Sequence, residues 1–172
     1  MKRWIAVCLL FVLILSLAAC SITEKIEYPV SYHYLRAPMA NGEIHHGSED
    51  SVIAPEIREG APYQDNITLL LDLYLHGPLD KNFQTPFPVG TALRSLTVEG
   101  THANVVLSRS FAKQSGIDLS LSCACLTLTV MDLTGAETVT ISVQGEQLDG
   151  KDSITLDRSN LILTDTATPA AE

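Results

Sequence analysis

With 172 residues, 46% of them apolar, the chain has length for one ordinary domain plus an appendage and can bury a sound core without disulfide or metal staples. Its 20 acidic residues outnumber 11 Lys and Arg, giving a net charge of −9. That balance argues against the two partner classes that need clustered cations, nucleic acid and anionic lipid headgroups.

Residues 1–19 place Lys2 and Arg3 ahead of an unbroken apolar run from Trp4 to Leu15, followed by small residues up to Cys20. A positive end, a short hydrophobic segment and a small-residue cleavage region read as a secretory signal peptide. Leu17-Ala18-Ala19-Cys20 has the form of a bacterial lipobox, so Cys20 is the expected site of diacylglycerol attachment. The alternative is an uncleaved membrane anchor with an incidental cysteine. Either way the chain is expected at the cell membrane, on its extracytoplasmic face, and two acyl chains give firm attachment where one is marginal. Processing removes Lys2 and Arg3 and leaves 9 basic against 20 acidic side chains in 153 residues, a net charge of −11.

Residues 20–27 form a short tether. Tyr28, Val30, Tyr32 and Tyr34 then recur with period two, an aromatic-rich strand signal, with Pro29 putting its start just after that residue or at a sheet edge. Asn41-Gly42 marks a turn and Val52 to Ile57 the return strand, ending near Arg58. Asp65 or Asn66 can cap a helix in which Ile67, Leu70, Leu71, Tyr74 and Leu75 share a face. Gly77-Pro78 stops it, because glycine takes the left-handed closing conformation and proline cannot continue a helix. Pro86, Pro88 and Gly90 carry a connector into a hairpin, Leu96 and Val98 returning through Gly100 to Ala103, Val105 and Leu107.

From Ile117 to Leu133 two periodicities compete. As a strand the alternation flips phase at Leu126, whereas as a helix Leu119, Cys123, Leu126, Val130 and Leu133 form a stripe, with Asp118 to cap it and Gly135 to close it. The helix is the reading adopted. Val139, Ile141 and Val143 alternate in a strand that Gly145 ends, and Ile154, Leu156, Leu161 and Leu163 suggest a short apolar ribbon around residues 158–160. Residues 164–172 are a polar, alanine-rich tail. Cys123 and Cys125, two apart, cannot close an ordinary disulfide and read as small core residues.

Taken together, Leu75-His76-Gly77-Pro78, Pro88-Val89-Gly90-Thr91, Leu96 to Gly100, Val105-Val106-Leu107-Ser108 with Phe111, Leu126 to Val130 and the Val139 to Val143 strand resemble the GerMN domain of bacterial sporulation and spore-germination lipoproteins over about residues 28–148. The resemblance implies an α+β fold, one small domain at residues 28–163 with two helices packed on a mixed or antiparallel sheet, similar to ring-building motifs. It implies a role in envelope assemblies of sporulation or germination.

The sequence also holds serine and histidine residues of the kinds that catalytic and metal sites use. Ser108 and Ser110 lie near His102 in sequence but without a nucleophile elbow, and capping of the hairpin is the simpler role. His33, His45 and His46 are candidate metal ligands if the first hairpin joins them, although adjacent histidines in a polar loop are usually solvated. No phosphate loop, dinucleotide fingerprint or calcium loop occurs in the sequence, so no cofactor is expected. The reading is a non-enzymatic binding or scaffold module, membrane-attached through Cys20, with envelope protein partners, no nucleic acid, and a monomeric or weakly self-associating state. Tyr28, Tyr32 and Tyr34 are its candidate interaction surface, with half-buried core tyrosines as the competing role, and sheet edges are candidate acceptors of a partner strand. The alternative is an envelope enzyme or a metal- or ligand-binding lipoprotein.

Overall fold

A computed structural model describes residues 26–37 and 52–161. The signal segment, Cys20, most of the tether, the Asn41-Gly42 turn, His45, His46, Leu163 and the tail all lie outside the described residues.

The period-two apolar runs become strands and the 3.6-period runs become helices. Strand β1 (Pro29–Arg36) pairs antiparallel with β2 (Ile53–Glu59), Tyr32 facing Glu56 and Tyr34 facing Ala54. Helix α1 (Ile67–Leu75) opens on Asn66, whose side chain accepts from the Leu69 N–H, and closes at Gly77 with φ +103. A two-residue strand β3 (Phe83–Gln84) returns to the other edge of β1. Strands β4 (Leu93–Glu99) and β5 (His102–Leu107) form the hairpin around Gly100. Helix α2 (Gly116–Thr134) follows, then β6 (Thr138–Val143) and β7 (Ser153–Asp157).

The α+β class holds, but the strands divide between two sheets: an antiparallel one in the order β2-β1-β3 and a mixed one in the order β4-β5-β6-β7. The mixed character comes from β5 and β6, which run parallel; a parallel pair needs a long crossover, and α2 supplies it. Helix α2 lies between the sheets. Leu119, Cys123, Leu126 and Val130, the stripe read from the sequence, belong to the main core with Val105, Leu107, Val139 and Ile141. Ala124, Cys125 and Leu128, on another side, form a second cluster with Ile53, flanked by Leu35, Leu121 and Leu161. By length and composition α2 could cross a membrane, but every residue from Ser122 to Met131 is buried between the sheets, which accounts for its apolarity. It starts earlier than Asp118; Ser115 precedes its first residue, and Asp118 sits in the first turn, where a carboxylate complements the helix dipole. Gly135 closes it in the left-handed conformation, its N–H donating to the Met131 carbonyl.

The outer face of the mixed sheet is polar. Thr97, Asn104, Thr140 and Thr155 stand in register across its four strands, and His102, Thr138 and Asp157 form the next row.

Candidate functional site

Tyr28, Tyr32 and Tyr34 do not form a common surface. Tyr32 and Tyr34 point into the core, 2% and 0% exposed, and only Tyr28 remains half exposed. Their polar ends explain why. The Tyr32 hydroxyl donates to the Leu70 carbonyl at 2.9 Å and that of Tyr34 to the Tyr74 carbonyl at 2.7 Å, so both phenols bind the backbone of α1. Tyr74 reciprocates, donating to the His33 carbonyl at 2.7 Å. Its ring stacks on Tyr32 at 5.5 Å and takes the edge of Phe87 at 5.2 Å. These aromatics lace β1 to α1, each contact adding to area burial, and period two could not tell that face from a wet one. Burial raises the Tyr32 and Tyr34 phenols above their ordinary value, opposed by the Arg58 guanidinium nearby.

The serine and histidine candidates are not brought together. Ser108 follows the last residue of β5 and His102 opens it, about 20 Å apart along a six-residue rise. Ser108 is buried, donating its hydroxyl to the Gly90 carbonyl at 2.9 Å and accepting from the Ala92 N–H at 3.0 Å. His102 lies on the outer sheet face, its ring nitrogens meeting Thr138 at 2.7 Å, Thr140 at 3.1 Å and Asn104 at 3.2 Å. These partners are two hydroxyls and an amide, and none is a carboxylate that could orient an imidazole base. His33 instead pairs with Asp132 at 2.8 Å, and Arg158 reaches the other oxygen of that carboxylate at 3.1 Å. Among the described residues no group of three or more His, Cys, Asp or Glu side chains could hold a metal ion. Cys123 and Cys125 are buried free thiols, as the sequence indicated; burial pushes Cys123 up to about 12 and raises Cys125 as well, so neither is a ready nucleophile.

What the structure does assemble is the connector from Gly77 to Ala92, held in place by three buried polar groupings from elements distant in sequence. The first is Glu56, on β2 and 7% exposed. One carboxylate oxygen accepts from the Leu79 N–H at 2.9 Å and the Asp80 N–H at 2.7 Å. The other takes the Arg58 guanidinium through Nε at 2.8 Å and through Nη2. Arg58 Nη2 also donates to the Gly77 carbonyl at 2.7 Å, with the guanidinium 4.9 Å from the Tyr32 ring centre and 5.6 Å from that of Tyr34. A charged pair taken out of water is tolerated where further hydrogen bonds accompany it, as the Leu79, Asp80 and Gly77 backbone groups do here.

The second grouping holds Pro86, whose carbonyl accepts from the Ser122 hydroxyl at 2.6 Å and from Gln114 Nε2 at 2.8 Å. The third is Ser108, which ties down the turn at Pro88-Val89-Gly90-Thr91. There the Thr91 N–H donates to the Pro88 carbonyl at 3.0 Å and Gly90 takes φ +86, the combination of a type II turn, where glycine is preferred. A Cβ on Gly90 would lie 3.1 Å from the Ser110 hydroxyl. The connector therefore has fixed backbone, yet it presents Leu79 and Val89 to solvent, 82% and 98% exposed.

Sequence reasoning marked the prolines and glycines of this segment and Arg58, but not Glu56. One sign was present: Glu56 shares the inward phase of Ala54 in β2, an unfavourable place for a carboxylate unless Arg58, two residues on, accompanies it.

Comparison with known proteins agrees with this architecture. A model of the family described as "Germane: Sporulation and spore germination" matches residues 40–149. No curated protein matches the chain. The first GerMN domain of the sporulation protein GerM from Bacillus subtilis is similar in fold, with a TM-score of 0.54 at 16% identity, covering 76% of this chain and 99% of that one. The tandem GerMN domains of the same protein align at a TM-score of 0.49 and 18% identity, over 73% of this chain and 43% of theirs. The family match spans well over half of the chain, and the chain belongs to the family described as sporulation and spore germination, with a fold similar to that of a GerMN domain.

Proposed function

We propose that this protein is a non-enzymatic docking module on the extracytoplasmic face of the cell membrane, tethered through lipid on Cys20, and that it joins an envelope assembly acting in sporulation or germination. The connector carries the reading. Its backbone is satisfied by Glu56, Arg58, Ser122, Gln114 and Ser108, while Leu79 and Val89 project without cover. Rigid apolar tips suit recognition, because a loop already fixed in its bound shape loses little entropy when a partner closes over it. The sheet edges suit it less well: Pro55 removes a donor from the outer strand β2, and the register shift between Leu93 and Ser95 breaks the regularity of β4. A tether supports the reading further, since confinement to a surface raises effective concentration and lets a weak contact act.

Photo-crosslinking from residue 89 in sporulating and vegetative cells, with residue 97 on the polar sheet face as the control, tests the proposal. A protein neighbour captured from position 89 and not from 97 is the expected result; no neighbour from 89 in either state overturns it. Anchoring is tested separately by Cys20→Ser, which should leave the protein unprocessed or release it from membranes.

A further inference from the structure

In a chain of net charge −9, residues 81–117 run the other way: Lys81, Arg94, Arg109 and Lys113 stand against a single carboxylate, Glu99, at the far end of β4. Three of these cations gather where the connector is pinned. Arg109 follows Ser108, whose hydroxyl donates to the Gly90 carbonyl, and the hydroxyl of Ser110 beside it lies 3.1 Å from where a Cβ on Gly90 would sit. Lys113 precedes Gln114, which donates to the Pro86 carbonyl. Arg94 is two residues past Ala92, whose N–H donates to the Ser108 hydroxyl. All three cations are exposed. Among the described residues the one ion pair any of them makes is Arg109 with Glu146, at 3.9 Å between exposed side chains, too long and too wet to neutralise it. Val89, 98% exposed, therefore projects from within a cationic rim.

We propose that the partner of the connector is a protein with an acidic surface: an apolar pocket that takes Val89, rimmed by carboxylates that meet Arg94, Arg109 and Lys113. This rests on the docking role proposed above and names the chemistry of what docks. The knob is fixed twice over: the type II turn holds its backbone, and a β-branched side chain has little freedom about its first torsion. A small rigid apolar knob calls for a shaped pocket, which a fluid bilayer does not offer, and one valine is too little apolar area to hold a domain in lipid. Charge points the same way. Screening confines a cation's influence to about 8 Å at physiological ionic strength, so a compact acidic patch feels these three, whereas an extended anionic membrane also faces the negative remainder of the chain. A second copy would bring carboxylates too, but its net charge of −9 opposes association.

Photo-crosslinking from residue 89 of the full chain in cells, with neighbours identified by mass spectrometry, tests the charge. Arg109→Glu should lower capture of the protein neighbour several-fold, and Arg94→Glu/Arg109→Glu/Lys113→Glu roughly ten-fold or more, because like charges across an interface repel. Arg158→Glu makes the same change in net charge as Arg109→Glu but beside Asp132, at the far end of α2, and should leave capture unchanged. A carbodiimide, which joins amines directly to carboxylates, should link Lys113 to an Asp or Glu of that neighbour. Capture that survives the triple reversal overturns the acidic partner and leaves the docking role standing, whereas no neighbour from residue 89 overturns both. Equal loss in Arg109→Glu and Arg158→Glu, Lys113 coupled only within its own chain, or capture of phospholipid or a second copy in place of another protein also overturns it. Should the reversal variant fold poorly, Arg94→Gln/Arg109→Gln/Lys113→Gln is read by the same comparison, per folded molecule.

Discussion

The buried pair on β2 makes the sharpest prediction. Glu56 and Arg58 expose 8% and 13% of their side chains, and the four polar contacts that Glu56 makes to Arg58, Leu79 and Asp80 leave little of its carboxylate without a partner. Substituting Arg58→Met removes the guanidinium, its bond to the Gly77 carbonyl and its position over two tyrosine rings, and leaves a carboxylate stranded in the core margin. Breaking a buried pair from one side costs about 3–5 kcal/mol, a large part of the roughly 5–15 kcal/mol that holds a domain together. In a domain of this size that loss lowers Tm by roughly 10–20 °C. Glu56→Gln should cost less than Arg58→Met, because a neutral amide keeps the acceptor for Leu79 and Asp80. The double variant should fall well short of the sum of the two, since neither charge is then left alone. Urea denaturation of the four proteins supplies the cycle. Single variants that each lose less than about 1 kcal/mol, as a solvated pair would, refute the clamp.

Ser108→Ala deletes the part-buried bonds to the Gly90 carbonyl and Ala92 N–H; a loss of about 0.5–1.5 kcal/mol in urea melts is expected, with faster amide exchange confined to residues 88–92. Thr127 is fully buried in α2 and its hydroxyl finds no hydrogen-bond partner, so Thr127→Val, nearly the same shape, should raise stability by on the order of 1 kcal/mol, read as a higher Tm. At alkaline pH the sign follows from the thiols. Cys123 has an ordinary value of 9.0 and is pushed up to about 12 by burial, so the folded chain holds a proton that the unfolded chain releases. Stability contributed this way is complete below pH 9 and is lost as pH rises from 9 toward 12; Cys123→Ala should reduce that slope, by urea melts across the interval.

Much of this fold was legible because one face of an element met one layer. In β5 and β6 the alternation of Ala103, Val105 and Leu107, and of Val139, Ile141 and Val143, marks buried positions one by one. The stop of α1 at Gly77 was visible for the same local reason. Helix α2 was ambiguous because it lies between two sheets: Leu121, Ala124, Cys125 and Leu128 serve the second cluster, so no clean stripe stands out. That central position also splits the strands into two sheets, which alternation within a strand cannot announce. Strand β3, two residues long, has no periodicity to read. The tyrosines gave the right strand and the wrong surface, since a phenol suits water or a buried carbonyl equally, and the carbonyls of Leu70 and Tyr74 lie 38 and 40 residues away.

The candidate site escaped the sequence for a related reason, and its form bears on function. Elements in compact domains are joined most often by about two to six residues, whereas the links on either side of the two-residue strand β3, residues 76–82 and 85–92, are both longer. Fixing each backbone residue costs roughly 1–2 kcal/mol of conformational entropy, so stability alone favours a shorter link. Instead a buried carboxylate, a guanidinium, a glutamine and two serines on β2, α2, the end of β5 and the turn after it converge on this one segment. Core packing does not require that convergence at Val89, whose side chain touches solvent almost all round. A loop held rigid with its apolar tip uncovered loses little entropy when another molecule closes over it, and that is the physical ground on which we propose a partner for this domain.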